Sequence, residues 1–308
     1  MTKKRKAVPK ERKPPSRKKL VTISAILIVV IAVGFLISLL LFQGSEVAFS
    51  LSAAVIDQLG EEFPNPTFVE NVTSILESYG FSVNYHNESL DVAFFKGLAK
   101  YNYGIIILRV HSALREDNST VDLFTSEEFV DYKYRRELKN GLLTVGEYLY
   151  APGKYYFAIT SRFIENLEGR FPKSIVIAMG CWSLKPGREQ LANAFLNKGA
   201  KAYVGWTDLV TPDDTDKETV KLLKMLVENK SLNDAVSQTH RYTYSAGHQT
   251  VTTKLRFYPP AAGSLRMSDL VAKAKAPITS QVLINNFKLS TLICVTNVID
   301  HKPEDFKT

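Results

Sequence analysis

Lys173-Ser-Ile-Val-Ile-Ala-Met-Gly-Cys-Trp-Ser-Leu184 is the stretch whose reading decides the fold. Ser174 to Ala178 is a short apolar run with β-branched residues, the pattern of a strand buried on both faces of a parallel sheet. Gly180 lets the backbone turn sharply, and Cys181 is delivered at the strand's carboxyl end. In open α/β sheets that edge is where ligands bind. Downstream, Gln190 to Ala200 reads as a helix closed by Gly199, and Ala202 to Gly205 as the next strand. Taken alone, Cys181 is equally well read as a small buried hydrophobe at a strand end.

Working outward, the chain before and after this stretch alternates strands and helices. Val47 to Ile56 reads as a strand. Asn65-Pro66 is a helix start, with Asn as N-cap and Pro in the first turn; Phe68, Val72, Ile75, Leu76 and Tyr79 then share one face, and Gly80 ends the helix. Phe81 to Tyr85 is a second strand and Ser89 to Lys100 a second helix. Gly104 to His111 is a strand that also ends in a reactive side chain. Such alternation predicts an α/β three-layer sandwich on a mostly parallel sheet. Right-handed crossovers place His111 and Cys181 on one edge of it.

Residues 113–172 form an insertion rich in charge and tyrosine. Val121 to Thr125, Leu143 to Tyr150 and Tyr155 to Thr160 read as strands, the first two as a hairpin arm, and Ser161 to Glu168 as a short helix. An arm beside the active edge could shape a substrate groove or be inert decoration. Past Gly205, Thr211 leads into a helix carrying Asp213, Asp214 and Asp216, with Thr215-x-x-Glu218 as a capping box. A single α/β domain is expected over 47–240. A β-rich extension of it should span 241–308, with strands at Thr252 to Tyr258 and two more within Gln281 to Ile299.

The ends of the chain address location. Residues 1–19 carry ten Lys or Arg against Glu11 alone, a net +9; the whole 308-residue chain is +8, so the other 289 residues are close to −1. The basic pI therefore belongs to the tail, and no nucleic-acid partner is expected. Leu20 to Phe42 follows as 23 residues without a charge, enough to span a bilayer core of about 30 Å. Its length exceeds that of a cleavable signal core. The positive flank predicts a cytoplasmic N-terminus, with the main domain outside the cell membrane. Four glycosylation sequons begin at Asn71, Asn87, Asn118 and Asn229. Cys181 and Cys294 are the two cysteines, too few for a disulfide scaffold; Cys294 reads as a core thiol, with a Cys181–Cys294 disulfide as the alternative.

A cysteine nucleophile needs a thiolate, a proton donor for the leaving group, and N–H groups for the oxyanion. His111 and Cys181 supply the first two, and the backbone N–H groups of Ser112 and Cys181 are placed for the third. His86, His240, His248 and His301 show no metal-ligand spacing, and no metal or cofactor is expected.

Strand-His, strand-Cys, helix-Gly-Ala, strand and an Asp-rich helix start together resemble the caspase-like cysteine peptidases, the clan that includes caspases, legumain, gingipains and separase. Met179-Gly-Cys-Trp-Ser183 is similar to the Met-Gly-Cys-Ser turn of separase and CHAT-type domains. Val204-Gly205 and Val210-Thr-Pro-Asp-Asp-Thr-Asp216 resemble the run that follows in them. The resemblance implies a caspase-haemoglobinase fold, Cys181 as nucleophile and His111 as acid/base. It also implies an acidic S1 pocket at Asp214 and Asp216 for a P1 Arg or Lys. The bland reading of those acids is a set of charges at a helix N-terminus. The family usually has Gly where this chain has Ser112, which keeps the N–H but resists positive φ. The function expected is a membrane-anchored endopeptidase acting on a peptide or protein substrate. The alternatives are an inactive binding or sensor domain of the same fold and a legumain-like transamidase.

Overall fold

A computed structural model describes residues 28–34, 48–148, 152–246 and 249–275. Residues 28–34 are helical and expose apolar side chains. They are the described part of the expected Leu20–Phe42 span. No helix among the described residues is long and apolar enough to cross a membrane.

The α/β alternation begins with β1 (Ser52–Asp57), a short 3-10 turn (Gln58–Gly60) and α1 (Pro66–Tyr79). Asn65 caps α1 by accepting the Phe68 N–H, with Pro66 in the first turn. Gly80 ends the helix at φ 102°, a left-handed conformation that side chains resist. β2 (Ser82–His86), α2 (Val92–Gly97) and β3 (Ile105–Arg109) follow. α2 begins at Val92, later than the expected Ser89, and Asp91 caps it: its carboxylate takes the Phe94 N–H. After the insertion come β8 (Ile175–Ala178), α5 (Gln190–Asn197), β9 (Ala202–Trp206), α6 (Pro212–Val227) and α7 (Leu232–Ser237). β1–β2, β1–β3, β3–β8 and β8–β9 pair in parallel.

Both faces of this sheet are covered. Ile106, Leu108, Val176 and Ala178 pack with Phe95 of α2 and with Leu191 and Phe195 of α5. The intervening Ile105, Ile107, Ile175 and Ile177 pack with Phe68, Val72 and Leu76 of α1 and with Leu222, Leu223 and Leu226 of α6. Alternation along continuous apolar strands thus feeds two cores, one per face.

The insertion is a sheet and not an arm. β4 (Ser112–Leu114), β5 (Val121–Glu128), β6 (Leu143–Glu147) and β7 (Tyr155–Ile159) form an antiparallel sheet in the order β4-β5-β7-β6. β6 pairs with β7, so the expected hairpin partner of Val121–Thr125 is replaced by β4 and β7. α3 (Arg135–Lys139) and α4 (Ser161–Glu165) flank it. Leu123, Leu143, Phe157 and Ile159 enter the same core as the first face of the main sheet, which secures the insertion to the domain.

Beyond α7 the expected single strand at Thr252–Tyr258 divides between two strands, and a further one precedes them. β10 (Tyr242–Ala246) and β11 (Gln249–Thr253) make a two-stranded ribbon, and β12 (Leu255–Tyr258) joins the main sheet antiparallel to β9. The sheet order is therefore β12-β9-β8-β3-β1-β2. α8 (Met267–Lys275) follows. The strands expected within Gln281–Ile299, and Cys294, lie outside the described residues.

Candidate active site

β3 and β8 are neighbours in register, Leu108 opposite Ala178, so the residues that leave their carboxyl ends emerge side by side. His111 and Ser112 continue from β3; Met179, Gly180 and Cys181 continue from β8. The two ends touch: the Ser112 hydroxyl donates to the Cys181 carbonyl oxygen at 2.6 Å. A Cβ at Gly180 would lie 2.3 Å from Ser112 Oγ and 2.5 Å from the Val110 carbonyl oxygen. Only glycine lets the turn come this close.

The turn bearing Cys181 is fastened at nearly every residue. Met179 N–H donates to the Leu108 carbonyl. The Met179 carbonyl accepts the Thr215 hydroxyl at 3.0 Å, and the Ala178 carbonyl accepts the Ser183 hydroxyl at 2.9 Å. Trp182 is left-handed at φ 54°, with its N–H on the Asp208 carbonyl at 3.1 Å. A non-glycine residue in that region needs surroundings that over-determine it, and these bonds supply them.

His111 is held by side chains from distant segments. Its backbone N–H donates to Gln58 Oε1 at 2.8 Å, and Gln58 Nε2 donates to the Tyr148 hydroxyl. Its Nε2 lies 3.2 Å from Glu62 Oε2, and its ring packs on Tyr148 at 4.5 Å between centroids. Glu62, Gln58 and Tyr148 have no motif that marks them in the sequence. Tyr148 belongs to the residues just after β6, so the insertion does reach the histidine.

Burial lowers the His111 pKa below the usual range, against the upward pull of Glu62. Burial also pushes the Cys181 thiol up, and the Asp208 carboxylate adds to the shift. The Cys181 thiol donates to the Val210 carbonyl at 3.5 Å. At neutral pH the pair therefore rests as imidazole and thiol, uncharged.

The direction of the Ser112 N–H is set by strand register. Phe124 N–H donates to the His111 carbonyl and Arg115 N–H to the Thr120 carbonyl. Ser112, opposite Leu123, thus falls at a non-hydrogen-bonded pair, and its N–H turns away from β5. A Gly180 Cβ would lie 2.8 Å from that nitrogen, so the N–H faces the Cys181 turn. Ser112 sits in extended backbone, and no positive φ is required of it.

Asp214 and Asp216 are both engaged elsewhere. Asp216, 3% exposed, takes Arg109 through both oxygens at 2.8 and 2.9 Å and Asn65 Nδ2 at 2.9 Å. Arg109, 1% exposed, also donates to Asp57 at 2.7 Å and to the Phe63 carbonyl. Two carboxylates thus share one guanidinium. Burial raises the Asp216 pKa despite its partner. Asp214 accepts the Thr211 hydroxyl at 2.8 Å and the Tyr244 hydroxyl, and its N–H donates to Thr211 Oγ1. Thr211, not Thr215, is the helix cap. Glu218 instead accepts the His240 N–H and the Tyr242 hydroxyl. Arg109 was legible in principle: a charge inside an apolar strand demands a buried partner.

Among the described residues no group of three His, Cys, Asp or Glu side chains is placed to hold a metal ion. The chain matches no protein-family model, and no curated protein matches it.

Proposed function

We propose that the chain is a caspase-like cysteine endopeptidase, of the caspase-haemoglobinase type, anchored in the cell membrane by 20–42 with its main domain outside. The observation that carries this reading is that His111 and Cys181 follow the carboxyl ends of adjacent parallel strands, and that the Ser112–Cys181 hydrogen bond joins those ends. A helix-covered parallel sheet supports the fold assignment.

In this reading His111 takes the Cys181 proton as the sulfur attacks the scissile carbonyl. The oxyanion that forms is met by the N–H groups of Ser112 and Cys181, a contribution of about 10²–10³ in rate per donor. Imidazolium His111 then gives its proton to the leaving amine, and an acyl-enzyme remains on Cys181. Water, deprotonated by His111, releases the acid and restores the thiol. Glu62 on Nε2 orients the ring and stabilises the imidazolium while it exists, so the proton travels through Nδ1. Attack by an amine in place of water would give the transamidase outcome through the same intermediate.

A basic P1 preference finds no support in Asp216, whose oxygens are filled, or in Asp214, whose carboxylate accepts the Thr211 and Tyr244 hydroxyls. The sensor-domain reading draws on the thiol's bond to Val210 and its raised pKa. Peptidyl acyloxymethyl ketones decide between the two. Labelling of Cys181 in the reduced chain, lost in Cys181→Ala and in His111→Ala, is the expected result. A folded chain that takes up no probe and cleaves no peptide in a diverse library would overturn the peptidase reading.

A further inference from the structure

The Ser112 side chain is not required by the chemistry just described, which uses only the Ser112 N–H. Yet its hydroxyl is 6% exposed with its residue and bonded at 2.6 Å to the carbonyl of the nucleophile itself. The peptide it grips, between Cys181 and Trp182, is held at the other end by the Asp208 carbonyl through the Trp182 N–H. With both its O and its N–H fixed, this peptide plane cannot rotate, which sets ψ of Cys181. On the upstream side the Ala178 and Met179 carbonyls are fixed by Ser183 and Thr215. Gly180 supplies the clearance: its missing Cβ leaves the space that Ser112 Oγ and the Ser112 nitrogen border.

We propose that the Ser112 hydroxyl is a positioning residue that pins the Cys181 turn against the end of β3, fixing the spacing of the two oxyanion N–H donors. The proposal rests on the peptidase reading. One residue then does two jobs on one rigid strand end. Its N–H faces the developing charge, and its hydroxyl holds the second donor in place relative to the first. A glycine at this position would keep the first job and lose the second. Such preorganisation matters because donors must be aimed before charge develops, and reorientation during the reaction forfeits their effect.

The role separates cleanly from general structural support. The oxyanion hole acts on tetrahedral species and not on the thiol itself. A peptide aldehyde adds the sulfur to its carbonyl and places an oxygen in the hole; chloroacetamide only alkylates the sulfur. The test uses the full chain in detergent or membranes, as wild type, Ser112→Ala and Ser112→Gly. Loss of the pin should lower kcat about tenfold or more, the scale of one buried hydrogen bond, with KM within about threefold. Aldehyde affinity should fall in step with kcat/KM, while the alkylation rate stays at the wild-type value. Ser112→Gly, which adds no bulk, guards against a misfolded alanine variant, and unchanged alkylation reports an intact thiol environment in each. Variants matching wild type in kcat and aldehyde affinity would remove the pin alone. A parallel fall in aldehyde binding and alkylation would reduce Ser112 to a packing residue. A wild type that takes up neither aldehyde nor peptide would remove the peptidase reading, and this proposal with it.

Discussion

The two strand ends that meet at the proposed active edge are held in opposite ways. The end of β8 is fixed through its backbone, carbonyl by carbonyl, by Ser183, Thr215, Ser112 and Asp208. The end of β3 carries His111 on a frame of side chains, Glu62, Gln58 and Tyr148, drawn from the β1–α1 connection and the inserted sheet. A nucleophile must be placed to a fraction of an ångström, and backbone fastening does that. An acid/base must turn between partners and tune its proton affinity, and side chains do that better. The comparison also separates what a substitution should break. On the cysteine side geometry fails; on the histidine side pH dependence moves.

The largest expected effect is at the sulfur. Cys181→Ala should abolish peptide turnover and probe uptake while the chain stays folded, read by gel fluorescence and circular dichroism. Persistent turnover in that variant would place the chemistry elsewhere and end the comparison.

Next comes the network beneath both ends. Asp216→Asn keeps Asp57 on Arg109 but replaces the two-oxygen carboxylate acceptor with a neutral amide, and a buried hydrogen bond to a charged group is worth about 2 kcal/mol. Urea denaturation should show that loss, while the ranking of P1 residues in a peptide library stays as in wild type. A loss of cleavage after Arg with stability intact would restore Asp216 as a pocket acid.

On the histidine side the effect is smaller and shows in pH. Burial lowers the His111 pKa and Glu62 raises it. Removing Glu62 should therefore lower it further. Glu62→Gln should move the acid limb of kcat/KM to lower pH, with kcat down about tenfold for one charged hydrogen bond lost. An acid limb that stays put would mean Glu62 does not govern the imidazole. For stability the sign is fixed by the same shift. The unfolded chain binds the proton more readily, so the folded state loses stability as pH falls below about 6.5. His111→Gln should flatten that part of the profile.

The smallest effect is electrostatic. Asp208 raises the Cys181 pKa, so Asp208→Asn should shift the alkylation midpoint of Cys181 downward without changing peptide KM. A shift upward, or none, would mean the carboxylate does not bear on the sulfur.

These differences track what was legible in the sequence. The β8 end was readable because its information is local: a β-branched run, a glycine, then cysteine. So was α1, where Asn65-Pro66 and Gly80 each state a backbone requirement. The two-core sheet followed from alternation and apolar strands. The surroundings of His111 were not readable, because Glu62, Gln58 and Tyr148 reach it only after the sheet brings remote loops together. β4 was missed because three residues give no periodicity, and the inserted sheet was mistaken for an arm because its pairing partners are distant in sequence. The acids at the start of α6 read ambiguously for a physical reason. A carboxylate run at a helix N-terminus satisfies capping, ion pairing and substrate binding equally well on paper, and Arg109, the partner that engages Asp216, lies more than a hundred positions away.

The uncharged resting state of Cys181 has a consequence for survival. Peroxide and other oxidants attack thiolates, and their rate follows ionisation and exposure. A domain facing the outside of a cell, as proposed, meets such oxidants without the reducing pools of the cytoplasm. A sulfur kept protonated, mostly covered and turned toward the Val210 carbonyl is shielded by its own acidity constant. The same burial that slows ionisation at rest is then a chemical shelf life, ended only when a substrate brings the charge out.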